Sequence, residues 1–190
     1  MKNQLVCLIA LALLTMVACK EADTAKQSET VEEIASPDYA AFDKNLAVMR
    51  SFIKAHCDED FNALTELISD TMKWSPPFYN GNKWLGKEDW LGGLKSYHEG
   101  FDNIKFTEGI TLQDRTINGN YAGSVFPKET ATNSPDAMRL YGTWTATHTA
   151  SGKEIGVKWY AICWVNDAGK IAMFTEYWDV NGLAVQLAEE

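Results

Sequence analysis

The chain has 190 residues, 46% hydrophobic and 12% aromatic, which is enough for one globular domain built around a single core. Acidic residues outnumber basic ones, 26 to 17, for a formal net charge of −9. That balance excludes a surface built to hold a phosphate backbone, so no nucleic-acid partner is expected.

Residues 1–18 have the form of a leader peptide, with Lys2 as a positive start and an apolar run over 5–17. The run is too short for a comfortable membrane span. Met16-Val17-Ala18-Cys19 resembles a bacterial lipobox, with Met16 where leucine is usual. It implies a lipid on Cys19 and a protein held at the bacterial cell envelope, on the periplasmic or outer-membrane face. A secretory signal without lipid is the alternative. Residues 19–36 are rich in Glu, Ala, Thr and Lys and nearly free of large apolar side chains, which predicts a flexible tether. The domain proper covers 37–190.

Ser36-Pro37 is a helix-start signal, and Phe42, Leu46, Met49 and Ile53 recur at helical spacing through 37–56. A shorter helix is expected over 58–69, with Phe61, Leu64 and Ile68 inward. A short strand over 71–75 ends at Pro76-Pro77. The third helix covers 86–99 and carries Trp90, Leu91, Leu94 and Tyr97. From Asn103 the hydrophobic period changes to two. Strands are expected over 104–116 and 121–126, joined by a turn at Asn118-Gly119, and 128–136 reads as a loop. Three more strands complete the sheet, the last over 171–179, with a short apolar helix after Asn181-Gly182. Helices first and a meander last predicts an α+β fold, three N-terminal helices packed on a curved antiparallel sheet.

Alternation puts Phe174, Glu176 and Trp178 on one face of the last strand, and Thr175, Tyr177 and Asp179 on the other. A two-residue turn at Ser151-Gly152 would pair His148 with Ile155, Ala146 with Val157 and Trp144 with Trp159. A turn near Asp167-Ala168-Gly169 would set Trp159 beside Glu176 and Val157 beside Trp178. Trp144, Trp159, Cys163, Phe174, Trp178, His148 and Glu176 then share the face that the helices cover.

Glu176, an acid among tryptophans, is the candidate general acid or base, because desolvation raises a carboxyl's pKa toward neutrality. An edge glutamate paired with Lys158 is the plainer alternative. Trp74, Trp144, Trp159, Phe174, Trp178 and Tyr97 are the candidate lining of a pocket for a small apolar or aromatic ligand. His98, ending the third helix, is a secondary site candidate, whereas His56 and His148 read as structural. The histidines lack metal-ligand spacing and have no cysteine nearby, so neither a metal nor a cofactor is expected. Cys57 and Cys163 could pair in an oxidising envelope, a buried free thiol being the simpler state.

Gly169-Lys170-Ile171, Glu176-Tyr177-Trp178-Asp179 and Gln186-Leu187 carry a resemblance to the SnoaL-like branch of the NTF2-like superfamily. Pro76-Pro77 with Gly86-Lys87-Glu88 adds a weaker match. The likeness covers 37–190 and implies a cone-shaped domain. In the family's limonene epoxide hydrolase the corresponding strand reads Trp-Arg-Asp-Tyr-Phe-Asp, and its first Asp is catalytic. Phe174-Thr175-Glu176-Tyr177-Trp178-Asp179 places that role on Glu176. The hydrolase's Arg-x-Asp pair finds no match among Leu140, Gly142, Trp144, Ala146 and His148, and its Tyr-x-Asn pair is replaced by Met72 and Trp74. Epoxide hydrolysis is therefore not expected.

Two functions are expected instead. One is an envelope-anchored lipoprotein that binds a small apolar or aromatic molecule. The other is a polyketide-cyclase- or ketosteroid-isomerase-like enzyme with Glu176 as acid/base. Relatives commonly pair through their sheets, so the resemblance also implies a homodimer, which Tyr160 and Tyr177 on the open face would suit.

Overall fold

The computed structural model describes residues 38–123 and 137–188, all within the compact unit Ala35–Glu190. The leader, Cys19, the tether, Pro37 and the 128–136 loop lie outside the described residues.

Helix α1 (Ala40–Cys57) starts where the Asp38 carboxylate accepts the Ala40 amide at 2.9 Å. It buries Leu46, Met49, Phe52, Ala55 and His56, so its inward face is turned toward Phe52 and His56, with Phe42 and Ile53 at the margin. Helix α2 (Phe61–Leu67) is capped by Asp60, which accepts the Ala63 amide at 3.0 Å. It passes without a loop into β1 (Ile68–Ser75), which begins three residues earlier than expected. Helix α3 (Lys87–Gly100) opens with the Gly86 amide donating to the Asp89 carboxylate at 3.1 Å, and packs Trp90, Leu91 and Leu94 inward.

The remaining strands are β2 (Phe101–Glu108), β3 (Ile110–Thr111), β4 (Thr116–Ile117), β5 (Asn120–Ala122), β6 (Ala137–His148), β7 (Glu154–Val165) and β8 (Ile171–Trp178). Six of the eight strands form one curved sheet in the order β1-β8-β7-β6-β2, with β5 also on β6. The α+β class is the expected one. The sheet is mixed rather than wholly antiparallel, because β1 runs parallel to β8.

The long hairpin expected over 104–126 does not form. β2 and β5 both pair with β6, and β3 and β4 make a separate small hairpin closed by the Leu112 amide on the Arg115 carbonyl. Gly109 causes the break, at φ +79° and so close to the Ile117 carbonyl that a Cβ would lie 2.2 Å from its oxygen. The Gly109 amide donates to the Tyr141 carbonyl at 2.8 Å, and the Tyr141 amide donates to the Gly119 carbonyl at 2.6 Å. The chain thus leaves the sheet and returns to it at one residue of β6.

Both later hairpins are paired two residues away from the expected register. The β6–β7 turn spans four residues, closed by the His148 amide on the Lys153 carbonyl, so Trp144 faces Val157 and Ala146 faces Ile155. In β7–β8, Trp159 faces Trp178 and Ala161 faces Glu176. A shift of two preserves the face of every side chain, so the expected grouping survives the wrong pairing. Helix α4 (Val180–Ala188) begins before Asn181-Gly182, not after, because Asp179 caps it by accepting the Gly182 amide at 2.7 Å.

Two apolar clusters result. One joins α1, α2 and α3 to the sheet through Met49, Leu64, Phe174 and Leu140; the other gathers Phe101, Ile104, Ala146 and Ile155 beneath Leu183 and Leu187 of α4. Both described cysteines are free. Cys163 is buried with its thiol donating to Met49 Sδ at 3.2 Å, and burial pushes that thiol's pKa up.

Candidate functional site

Between the two clusters lies a cavity of about 450 Å³. Its walls are chiefly aromatic. Phe52, Trp90, Phe174 and Trp159 form a run of near-parallel rings with successive centroids 4.9, 4.6 and 6.0 Å apart. Trp144 stands edge-on to Trp159 at 5.9 Å, and Tyr97 stands edge-on to Trp178 at 6.3 Å. Trp74, Trp144, Trp159, Phe174, Trp178 and Tyr97, the six side chains read from sequence as pocket lining, all border this one space, as does Glu176.

Glu176 sits on β8 between the two strands that hold it. Trp74 on β1 lies across from Phe174, and Trp159 on β7 lies across from Trp178, so Glu176 is diagonal to both. The two indoles reach it from opposite sides. Trp74 Nε1 donates to Oε1 at 3.2 Å, and Trp159 Nε1 donates to Oε2 at 2.8 Å. It is half-buried and faces the cavity. Burial raises its pKa, and the bonds from Trp159 and Trp74 offset only part of that rise. The alternative partner Lys158 is ruled out by geometry. It faces Thr143 on the opposite side of the sheet and is exposed.

Tyr97 also titrates abnormally, pushed up to about 12 by burial and then by the Glu176 charge. It stays protonated at any physiological pH and is available as a hydroxyl donor. His98 does not border the cavity. It lies behind the wall, its Nε2 2.8 Å from Nδ1 of His56, and His56 is the imidazole that borders the cavity. His148 is at the β6–β7 turn, bonded to Ser151 Oγ at 2.8 Å. Among the described residues no three His, Cys, Asp or Glu side chains are grouped to hold a metal ion.

Sequence reasoning missed His56, Phe52 and the α4 side chains Val180 and Leu183 as cavity residues. The signal for the first two was present: Asn45, Met49, Phe52 and His56 repeat on one face of α1, a stripe rotated from the one expected. Nothing in the sequence pattern separates Val180 and Leu183 from an ordinary docked helix.

Three helices against a curved mixed sheet, with a cavity between them, make an α+β fold of the NTF2-like kind. Solved structures place the chain there. A protein from Bacillus subtilis proposed to be an isomerase matches with a TM-score of 0.60 at 16% identity, over 79% of this chain and 96% of the other. IdmH from Streptomyces antibioticus, proposed to be a polyketide cyclase, matches at 0.56 and 17% identity, over 76% and 99%. An NTF2-like protein from Burkholderia thailandensis matches at 0.52 and 16% identity, over 76% and 98%. At these identities the likeness establishes the fold. No protein-family model and no curated protein matches the chain.

Proposed function

We propose that the chain binds a small, largely apolar or aromatic molecule in its cavity, with one protic group of that molecule against Glu176. The observation that carries this reading is the Glu176 carboxyl, held by two indole N–H groups on an aromatic cavity. The space is of ordinary size for a small-molecule site, which runs from roughly 300 to 1,000 Å³. Each carboxyl oxygen accepts one indole bond and keeps a second lone pair for the ligand. Thermal-shift screening of small aromatic compounds against the full chain tests the reading. A hit recovered unchanged supports it, and a panel without any shift sinks it.

Proton transfer is the second reading, and the raised carboxyl favours it. An acid whose pKa is raised holds its proton more tightly than an ordinary glutamate, and can give it to one atom of a substrate and take it from another. Tyr97 is a neutral hydroxyl on the same cavity, suited to a developing oxyanion. Neighbours of the same fold proposed to be a cyclase and an isomerase are compatible with such chemistry. Conversion of a thermal-shift hit, abolished in Glu176→Gln, separates this reading from simple binding.

The setting proposed for the domain is the bacterial cell envelope, through a lipid on Cys19 of the lipobox-like Met16-Val17-Ala18-Cys19. Cys19→Ser should leave the membrane fraction or stall in processing. A homodimer through the open face of the sheet belongs to the same proposal. Tyr121, Tyr141, Tyr160 and Tyr177 form a ladder across four strands there, with successive ring distances of 5.7, 4.7 and 6.0 Å. Cross-linking of the full chain tests it, and Tyr160→Lys should abolish the cross-linked pair.

A further inference from the structure

Glu176 is not the only polar group on the cavity. His56 enters it from α1, is 8% exposed, and stands edge-on to Trp144 with ring centroids 5.1 Å apart. Its Nδ1 is 2.8 Å from Nε2 of His98 on α3, with the two rings stacked at 4.9 Å and 26°. Every fully enclosed side-chain nitrogen and oxygen among the described residues has a hydrogen-bond partner. The bond to His98 occupies Nδ1; Nε2 makes no bond and so is not fully enclosed, on a ring that borders the cavity.

We propose that His56 Nε2 is a second hydrogen-bonding pole of the cavity, with its donor or acceptor character set by His98, so that the site takes ligands with two oxygen functions. Resting on the cavity reading above, this narrows the ligand class to aromatic or polycyclic molecules with a hydroxyl for Glu176 and a carbonyl or second hydroxyl for His56.

The tautomers explain how His98 acts. One proton lies between the two imidazoles. If His98 donates it, His56 carries its own proton on Nε2 and presents a donor to the cavity. If His56 donates from Nδ1, its Nε2 is bare and accepts. Protonation of His98 removes the second option, because both nitrogens of a cationic imidazole are donors. Acid therefore fixes His56 as a donor, matched to a carbonyl.

The surrounding groups make His98 the one that charges first. Burial lowers it below 6.5, while Glu59 and a hydrogen bond to the main chain of His56 act the other way. Burial, with His98 nearby, lowers His56 to about 3. Tyr97, 6.5 Å from the His56 ring, remains neutral throughout, and Glu176 is the acid elsewhere on the cavity. His98 is a positioning residue; only His56 touches ligand.

Fluorescence titration of the full chain with 2-naphthol and its 6-acetyl and 7-acetyl derivatives tests the pair. One acetyl isomer should bind about tenfold tighter than 2-naphthol, the scale of one good hydrogen bond. That ratio should grow as pH falls below 6.5 and His98 charges. In His56→Phe the ratio should fall to about one, and in His98→Phe it should lose its pH dependence. A ratio unchanged by His56→Phe, or near one for both isomers in the native chain, overturns this inference while 2-naphthol binding leaves the cavity reading standing. Absence of 2-naphthol binding overturns both. Should the variants fail to fold, ¹⁵N spectra of the native histidines decide. The tighter isomer should drive His56 to its Nε2–H tautomer, and an unchanged spectrum refutes the proposal.

Discussion

At Glu176 opposing effects act on one carboxyl. Enclosure favours the neutral acid, while two indole N–H bonds favour the anion, each on the order of 1.5–3 kcal/mol for a charged acceptor. The raised pKa means that enclosure prevails. The folded chain therefore holds a proton that the unfolded chain releases near the ordinary value of 4.5. Stability from this group is complete below that value and is lost as pH rises through the folded pKa. Denaturation of the native chain and Glu176→Gln across this range should show the native advantage shrinking toward neutral pH; a constant difference would mean that the carboxyl titrates normally. Glu176 was legible in the sequence because Phe174 and Trp178, two places to either side on β8, share its face. Trp74 could not be linked to it, because the bond spans 102 residues through a parallel pairing of the domain's first and last strands. The His56–His98 bond, 42 residues apart on two helices, was hidden for the same reason.

Strand β6 is the element that orders the sheet, and a close approach at Gly142 seats β2 against it. At Gly142 the ring of Phe106 lies where a Cβ would stand, 2.1 Å from its position, so β2 can bring Phe106 against Trp144 at 4.6 Å. Gly142→Ala should push that ring away and cost about 1–3 kcal/mol, measurable as a lowered denaturation midpoint with an unaltered slope. Turn chemistry was the least reliable part of the sequence pattern. Asn118-Gly119 looked like a two-residue hairpin turn, yet Gly119 serves β6 by giving its carbonyl to Tyr141. Ser151-Gly152 was read as the whole turn, although it is only half of a four-residue one. Faces survived these errors because side-chain period is two, and both register shifts were even.

For the molecule as a whole, the cavity is the gap where two apolar clusters fail to merge, with Trp144 packed against both and the aromatic run around Phe174 as the wall on the side of the first. Phe174, 1% exposed, stacks on Trp90 and Trp159 and touches Phe52. Phe174→Ala should cost about 3–5 kcal/mol and weaken any aromatic ligand, by urea denaturation and titration respectively. The α+β class was readable from the order of helical and alternating segments, but not how α4 closes one end. That helix buries no residue fully, packs Leu183 and Leu187 on the second cluster, and is joined to β7 by one side-chain amide. Gln186 Oε1 accepts the Gly156 amide and Gln186 Nε2 donates to the Gly156 carbonyl, both at 3.0 Å. A side chain thereby imitates the strand that β7 lacks beyond the end of β8. The protection of a single backbone proton then clocks the helix. In hydrogen exchange, the Gly156 amide should open far sooner than its β7 neighbours, at the rate at which α4 lifts, and Gln186→Leu should bring it close to the exchange rate of free peptide.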